Sequence, residues 1–577
     1  SVIKACAVIH DICLGELVHQ CIIEHGFADN VHVGNILIHM YMACGNVEDA
    51  NNVFQKLTNP DVVTWSTMMS GYAHHGHGDL ALATFEWMQG EGLKPNKVTY
   101  PSILKACAII SAFDQGKSIH SHIIENDFGS DAYIVSALID MYAKCGSLDD
   151  ASRVFDQFSQ RSEVALNSMI SAYAQNEHGQ EAFQLFHRFE QLGFKPDRVT
   201  FLNVVKACSI IVALEWGRLL HDQIVRCGYV DELSIGNALI DMYSKCGSLD
   251  DACTVFENMP TRGVITWSAM LAGYAMHNEY DIVLQCFEDM QKIGLKPNHV
   301  TFLSLLSACG QKGLIDKAYD YFYSMKAGYG IKPATEHYNC MIDLLGRAGR
   351  VDEAEYLLLT MPYRNKFVSW KSLLSHSKIY RNVQLGRRCF DHLIAIDSAD
   401  ASLYALMSDI YADANMWEEV RQIQEMKINA CARKSPAKAF IPVENMVHAF
   451  IDGDRRHCES DNIYTRLKEI DNRMKEHKII SHLPPIWKLN SVDEDKEDVL
   501  GGHCELLAIA FGLITTPAGT TLRVAKNLKV CSDCHTAIKF ISKIEKRDIM
   551  LMDNYCVHHV KDGICSCKDL PNKGMGS

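Results

Sequence analysis

The chain has 577 residues, a formal net charge of −14, and 48% hydrophobic against 22% charged residues. That length exceeds what one hydrophobic core fills, so several domains or a repeat array are expected. The negative charge argues against bulk electrostatic binding of nucleic acid but leaves single-strand binding through base-reading groups open. No apolar run approaches the roughly 20 residues of a membrane span; Leu506–Ile514 reaches nine. No signal peptide is visible at Ser1. Most of the 22 cysteines recur at repeat-equivalent positions rather than in a short disulfide scaffold, which points to a reducing compartment.

From the N-terminus the chain repeats itself every 101 residues. A Lys-Ala-Cys element places its cysteine at Cys6, Cys107 and Cys208; Met-Tyr-x-x-Cys-Gly begins at Met40, Met141 and Met242; Lys-Pro-Asn/Asp has its proline at Pro95, Pro196 and Pro297. Such self-similarity marks a solenoid. Each block divides into three sub-units of about 31, 35 and 35 residues, each read as two helices. In 62–96, Trp65, Met68, Met69, Tyr72 and Ala73 follow helical spacing, a His/Gly-rich break follows, and Ala81, Phe85 and Met88 give a second apolar face. Gly92 and Pro95 then stop the helix. One hairpin cannot bury its apolar face alone, so stacking into a superhelix is expected. The repeat cysteines and the Trp, Met and Tyr stripes read as core packing.

The stretches 63–96, "VTWSTMMSGYAHHGHGDLALATFEWMQGEGLKPN", and 137–155, "ALIDMYAKCGSLDDASRVF", lack the tetratricopeptide pattern. They closely resemble pentatricopeptide repeats of the plant variety that alternates P, L and S motifs. The resemblance covers residues 1 to about 366 and implies a right-handed α-solenoid. Its register places Ser1 at about the sixth residue of an L motif, so a longer parent chain is expected. It also implies RNA binding, one base per repeat, read by the fifth and last residues of each motif. Those pairs are Asn35 with Asp61, Ser66 with Asn96, Asn167 with Asp197, and Ser268 with Asn298. Ser136 with Ser162 and Asn237 with Gly263 are less regular, and Asn339 is the fifth residue of the last S-like motif. In the family's code Ser with Asn favours adenine and Asn with Asp favours uracil. L motifs place Pro101, Leu202 and Leu303 at the fifth position, where little selectivity is expected.

From Phe367 two further helical pairs resemble the extension motifs that follow such tracts. A strand-like segment and a helix follow over 443–477. Pro484-Pro485 and the acidic run 493–498 mark a boundary. The expected division is 1–366 repeats, 367–480 extension and linker, 481–577 a small α/β domain.

In that last segment His503 and Glu505 open an apolar helix, and 25 residues later Cys531 and Cys534 open another. Cys-x-x-Cys-His alone suits haem attachment or a redox pair. With His-x-Glu upstream, it is the zinc deaminase signature. His503, Cys531 and Cys534 are the expected ligands, leaving a fourth position for water; Glu505 is the expected proton shuttle. A β-hairpin turning at Asp562-Gly563 sets Val560 opposite Cys565 and His558 opposite Cys567. His535, His558, Cys565 and Cys567 are therefore the expected ligands of a second, closed zinc site, with free thiols or a disulfide as the alternative. Arg523, Lys526, Lys529, Lys539, Lys543, Lys546 and Arg547, set against Asp533, Glu545 and Asp548, give basic charge favourable to RNA.

Residues 481–567 closely resemble the DYW-type deaminase domain of plant organellar RNA editing factors, through "HCELLAIAFGLI", "NLKVCSDCHTAIKFISKI" and "VHHVKDGICSC". The resemblance implies C-to-U editing of single-stranded RNA in a mitochondrion or chloroplast, two Zn²⁺ per chain, and other editing factors as partners, with no membrane and no nucleotide cofactor. Val530 stands where the general signature has proline, which is ordinary in this family; three departures stand out: Cys504 where the family usually has serine, no recognisable Pro-Gly box before the domain, with "HLPPIW" near its place, and an end in "CKDLPNKGMGS" rather than Asp-Tyr-Trp. The alternative is a non-catalytic RNA-binding factor with a degenerate deaminase domain; a U-to-C aminating variant is a lesser one.

Overall fold

A computed structural model of the chain describes residues 2–158, 162–176, 178–363, 366–430, 432, 437–443, 446–476, 503–553 and 556–567. The protein is mainly α, with 26 helices preceding the first strand among the described residues. The reason lies in the spacing. In helix Val62–His74, Trp65, Met68, Met69, Tyr72 and Ala73 are all buried; in its partner Gly78–Gly90, Ala81, Phe85 and Met88 are. Between them Gly76 takes φ +77°, the left-handed conformation that ends a helix without a Cβ penalty. The repeat-equivalent Cys6, Cys107 and Cys208 are fully buried, as core packing requires.

The chain forms two compact units, 1–207 and 208–577. In the first, the leading helices of successive pairs stack in order: Val31–Ala43, Val62–His74, Thr99–Ile110, Ala132–Lys144 and Glu163–Gln175. In the second, the same order runs through Leu233–Lys245, Val264–Met276, His299–Lys312, Thr335–Arg347, Phe367–Ile379 and Ala401–Asp413.

The second unit ends in a six-stranded sheet. Its strands are β1 (Lys438–Val443), β2 (Met446–Ile451), β3 (Leu522–Lys526), β4 (Ile549–Met552), β5 (Val557–Lys561) and β6 (Ile564–Cys565), in the order β2-β1-β3-β4-β5-β6. Only β3 and β4 run parallel, joined through helix Ser532–Glu545; the other neighbours are antiparallel. Helices Ser460–Glu476, Cys504–Thr515 and Ser532–Glu545 share one core with Ala439, Ile441, Leu522, Val524, Ile549 and Leu551. The segment read as linker thus contributes β1 and β2. Pro484-Pro485, the acidic run and the last ten residues lie outside the described residues.

Candidate active site and nucleic-acid interface

The four regular residue pairs share one local architecture. Asp61 caps helix Val62–His74 through a capping box, its Oδ1 accepting the Thr64 amide at 2.8 Å. Asn298 does the same for Thr301 at 3.0 Å, Asn96 for Thr99 at 3.0 Å, and Asp197 for Thr200 at 2.8 Å. Asp61 and Asn298 are the N-caps of their helices, and Asn96 makes the same bond just ahead of helix Thr99–Ile110, whose N-cap is Val98; a side-chain oxygen that satisfies a first-turn amide is why Asn and Asp are at home there. Backbone N–H groups fix the bonded atom as oxygen, so the second atom is Nδ2 in Asn and Oδ2 in Asp.

The fifth residue of the preceding leading helix meets this cap. Asn35 Nδ2 donates to Asp61 Oδ1 at 3.3 Å, and Ser268 Oγ donates to Asn298 Oδ1 at 3.1 Å. The Thr200 hydroxyl donates to Asn167 at 2.9 Å, and Ser66 lies 2.9 Å from the Thr99 hydroxyl. Asn167 and Asp197 line an open groove with Glu163, Ser168 and Asn203. Elsewhere the pattern differs. Ser136 bonds Ser168 rather than Ser162, and Ser162 precedes its helix without a side-chain cap. Asn237 keeps a buried Oδ1 with no partner among the described residues, and Asn339 accepts from Ser369.

At the C-terminal domain, two helix N-termini converge. His503 is the N-cap of Cys504–Thr515, and Cys531 is the N-cap of Ser532–Glu545. His503 Nδ1 lies 3.1 Å from Cys534 Sγ and 3.7 Å from Cys531 Sγ. Zinc–sulfur and zinc–nitrogen bonds of about 2.3 and 2.0–2.1 Å in a tetrahedron separate such atoms by about 3.6 Å. The donor set therefore fits zinc. The hydrogen bond from Cys534, helped by His503, brings the Cys531 thiol down to about 4 despite burial, and the same bond with burial pushes Cys534 up, so that one thiol of the pair is ionised.

Glu505 is fully buried beside this triad, and Lys526 Nζ lies 2.5 Å from its Oε1. Burial pushes the carboxyl up, but the Lys526 ammonium outweighs it and holds it below the ordinary carboxylate range. Cys504 Sγ lies 3.5 Å from Oε2, so the cysteine at this departure faces the same carboxylate. Asp452, at the end of β2, accepts the Cys504 amide at 3.0 Å and anchors the helix start.

The second cluster brings His535, His558, Cys565 and Cys567 together, with ligand atoms all within 4.8 Å of one another. Val560 pairs with Cys565 across β5 and β6. His558 Nδ1 lies 3.6 Å from Cys565 Sγ, and His535 Nε2 lies 3.3 Å from Cys567 Sγ. His559 points elsewhere, its Nε2 3.8 Å from Asp548. On the far side of the His558 ring, Nε2 sits 3.5 Å from Asp553, a carboxylate that also accepts the Val530 amide at 3.1 Å. Burial would depress His558, but Asp553 and Cys556 outweigh it and raise its basicity. An outer carboxylate in this position is the kind that orients a histidine able to hold a metal.

Nothing in the local sequence marks Lys526, Asp452 or Asp553 as parts of the centre. The basic run around Lys526 suggests an RNA-facing patch, and the structure corrects this for three of its members. Lys526 is buried on Glu505. Arg547 is buried, donating to the Thr520 carbonyl at 2.7 Å and the Thr516 hydroxyl at 2.6 Å. Arg523 donates to the Cys246 carbonyl. Three of the seven cations thus serve the fold: a guanidinium or ammonium inside a domain is there to satisfy internal acceptors, not to meet phosphate.

These features define a helical-repeat protein carrying a small α/β domain with two His/Cys clusters. Family models agree: the PPR repeat family matches 60–109, 161–209 and 262–311, with further PPR repeats between and beyond them. The E motif matches 380–441, and the DYW family of nucleic acid deaminases matches 486–570. A mitochondrial pentatricopeptide repeat-containing protein of Arabidopsis thaliana, At2g03880, is 37% identical over 99% of this chain and 89% of its own length. The chloroplastic Arabidopsis protein CRR2 is 35% identical over 96% of this chain and 85% of its own. Across the first relatives the chain spans from 57% to 89% of their length. Among solved structures, PPR10 in complex with an 18-nt psaJ RNA element shows a TM-score of 0.48 at 18% identity, covering 72% of this chain and 62% of that one. The chain belongs to the pentatricopeptide repeat proteins, in the group that ends in an E motif and a DYW deaminase domain.

Proposed function

We propose that this protein binds single-stranded RNA through its repeats and deaminates a selected cytidine to uridine in its C-terminal domain. The observation that carries this reading is the buried Glu505, paired with Lys526 and with a carboxylate oxygen within 4.8 Å of the His503, Cys531 and Cys534 ligand atoms; we read it as the proton carrier beside the metal rather than as a fourth ligand. The division of labour we infer is 1–366 for recognition, 367–480 for extension, and 481–577 for chemistry, with β1 and β2 lent by the middle segment.

His503, Cys531 and Cys534 would hold a catalytic zinc, and His535, His558, Cys565 and Cys567 a structural one. When bound, the catalytic zinc supplies the Lewis acidity that makes water nucleophilic at neutral pH. Glu505 takes a proton from the attacking water and passes it to the cytosine ring nitrogen. Oxygen adds at C4, the C4–amino bond breaks, and a second proton leaves with the nitrogen as ammonia. Lys526 keeps the carboxyl oriented and favours its charged form before and after each transfer. Glu505 and Lys526 are themselves buried, a water-poor setting where such a charge acts strongly.

Recognition follows from the caps. Asp61 and Asp197 present an outward acceptor, which matches the N3–H donor of uracil. Asn96 and Asn298 present an outward Nδ2 donor, which matches the N1 acceptor of adenine. Relatives are named mitochondrial or chloroplastic, and an organellar transcript is the substrate we infer. Co-expression with candidate transcripts, followed by sequencing, tests the reading: C-to-U changes that vanish with Glu505→Ala support it, and their absence with every transcript that the repeats bind counts against it.

A further inference from the structure

Among the described residues, the α/β domain's own helices cover one face of the sheet. Its register defines the other face. Arg523, Met550 and His559 stand in a row across β3, β4 and β5. Ala525, two residues from Arg523, pairs with Phe440, and Val447 pairs with Pro442, so all of these share that face. Within the 208–577 unit this face meets two turns of the third repeat block. Val447 and Phe440 pack with Ile210, Ile211, Ala213 and Trp216. Arg523 Nε donates to the Cys246 carbonyl at 3.3 Å. Met550 Sδ fills the place a Cβ would take at Gly247.

The repeat supplies its own control, 101 residues earlier. Cys246 is fully buried, whereas its counterparts Cys44 and Cys145 are half-buried. The Cβ positions at Gly45 and Gly146 open into empty space. Val212 and Ala213 are each 2% exposed, while Ser111 in the preceding block is exposed. The side chains change to match: Ser111 gives way to Val212, and exposed Gln115 to half-buried Trp216. Val212 sits at φ +54°, where a β-branched residue is disfavoured. The fold does not demand valine there, because His10 and Ser111 make the same turn at φ 54° and 53°. An apolar, strained residue at an otherwise polar turn is explained by what its turn packs against.

We propose that the turns 210–213 and 246–248 are a dedicated seat for the open face of the sheet, one copy of a recurring turn resurfaced to hold the α/β domain. Resting on the deaminase reading, the seat also sets a fixed path from Asn237, Ser268 and Asn298 to Glu505, so that one cytidine at a fixed spacing is converted.

The test uses the full chain. Val212→Ser with Trp216→Gln installs the preceding block's own side chains, so the repeat still folds. Gly247→Asn keeps a residue that tolerates the left-handed turn but drives a Cβ into Met550. Both variants should speed backbone hydrogen exchange at 210–213 and 246–248 and enlarge the particle in small-angle X-ray scattering, with RNA affinity unchanged. Conversion should fall at the parental cytidine and spread to neighbours. Unchanged exchange and scattering in both variants overturn the seat. Faster exchange with conversion still confined to the parental cytidine overturns its positional role. Exchange and scattering score the seat even if no transcript is edited, which separates its failure from that of the deaminase reading.

Discussion

Glu505 and Lys526 form a buried pair whose members cannot be removed singly without cost. Glu505→Ala should abolish deamination, by at least the 10²–10⁴-fold typical of a general acid–base group, while zinc content and RNA affinity stay at parental values. Retained editing would refute the assigned role. Lys526→Met should be destabilising by about 3–5 kcal/mol, because it strands a buried carboxylate; adding Glu505→Gln should recover most of that loss in denaturant titrations without restoring editing. The pair also predicts a pH dependence. Glu505 titrates below its unfolded value, so its stabilisation is fully present above the ordinary carboxylate range and is lost as pH falls through the lowered folded value. Thermal melts of the parental chain should therefore soften below about pH 5 more steeply than those of the Glu505→Gln, Lys526→Met double variant.

At the scale of the element, the motif-ending Asn and Asp do two jobs with two atoms. Oδ1 caps a helix, and the other atom is the proposed base reader. Exchanging Asn167 for Ser together with Asp197 for Asn should shift preference at one base from uracil towards adenine, by about 1–3 kcal/mol by analogy with other base-edge readers. The melting temperature should barely move, since Asn caps as well as Asp. Asp197→Ala should instead cost about 1 kcal/mol of stability and lose selectivity at that base. Binding series against four single-base variants of one RNA distinguish these outcomes; equal loss for all bases would sink the code.

For the molecule as a whole, the two His/Cys clusters predict two zinc ions per chain by elemental analysis. Cys565→Ser should remove one ion and lower the melting temperature, because a closed site contributes its binding energy to folding. His503→Ala should remove the other together with editing. A single ion in the parental protein would discard one of the sites.

The sequence by itself determined the repeat, the helical pairs and the residues from which both His/Cys clusters are built, because these rest on local information: helical spacing, Gly and Pro stops, and the short His-x-Glu, Cys-x-x-Cys-His and Cys-x-Cys patterns. Even the hairpin pairing of Val560 with Cys565 follows from a two-residue turn. What only the tertiary structure decided are contacts between segments far apart in the chain. Lys526 looks like any surface lysine until β3 lays it on Glu505. Asp452 and Asp553 gain meaning only where β2 and the end of β4 meet the two helix starts. Arg547 and Arg523 read as RNA-facing cations because charge in a sequence carries no direction. Val212 looks like an ordinary turn residue until the sheet's open face covers its turn. Backbone propensity and spacing act over a few residues, whereas burial and pairing of charge depend on which distant surfaces meet, and that is settled only when the chain closes on itself.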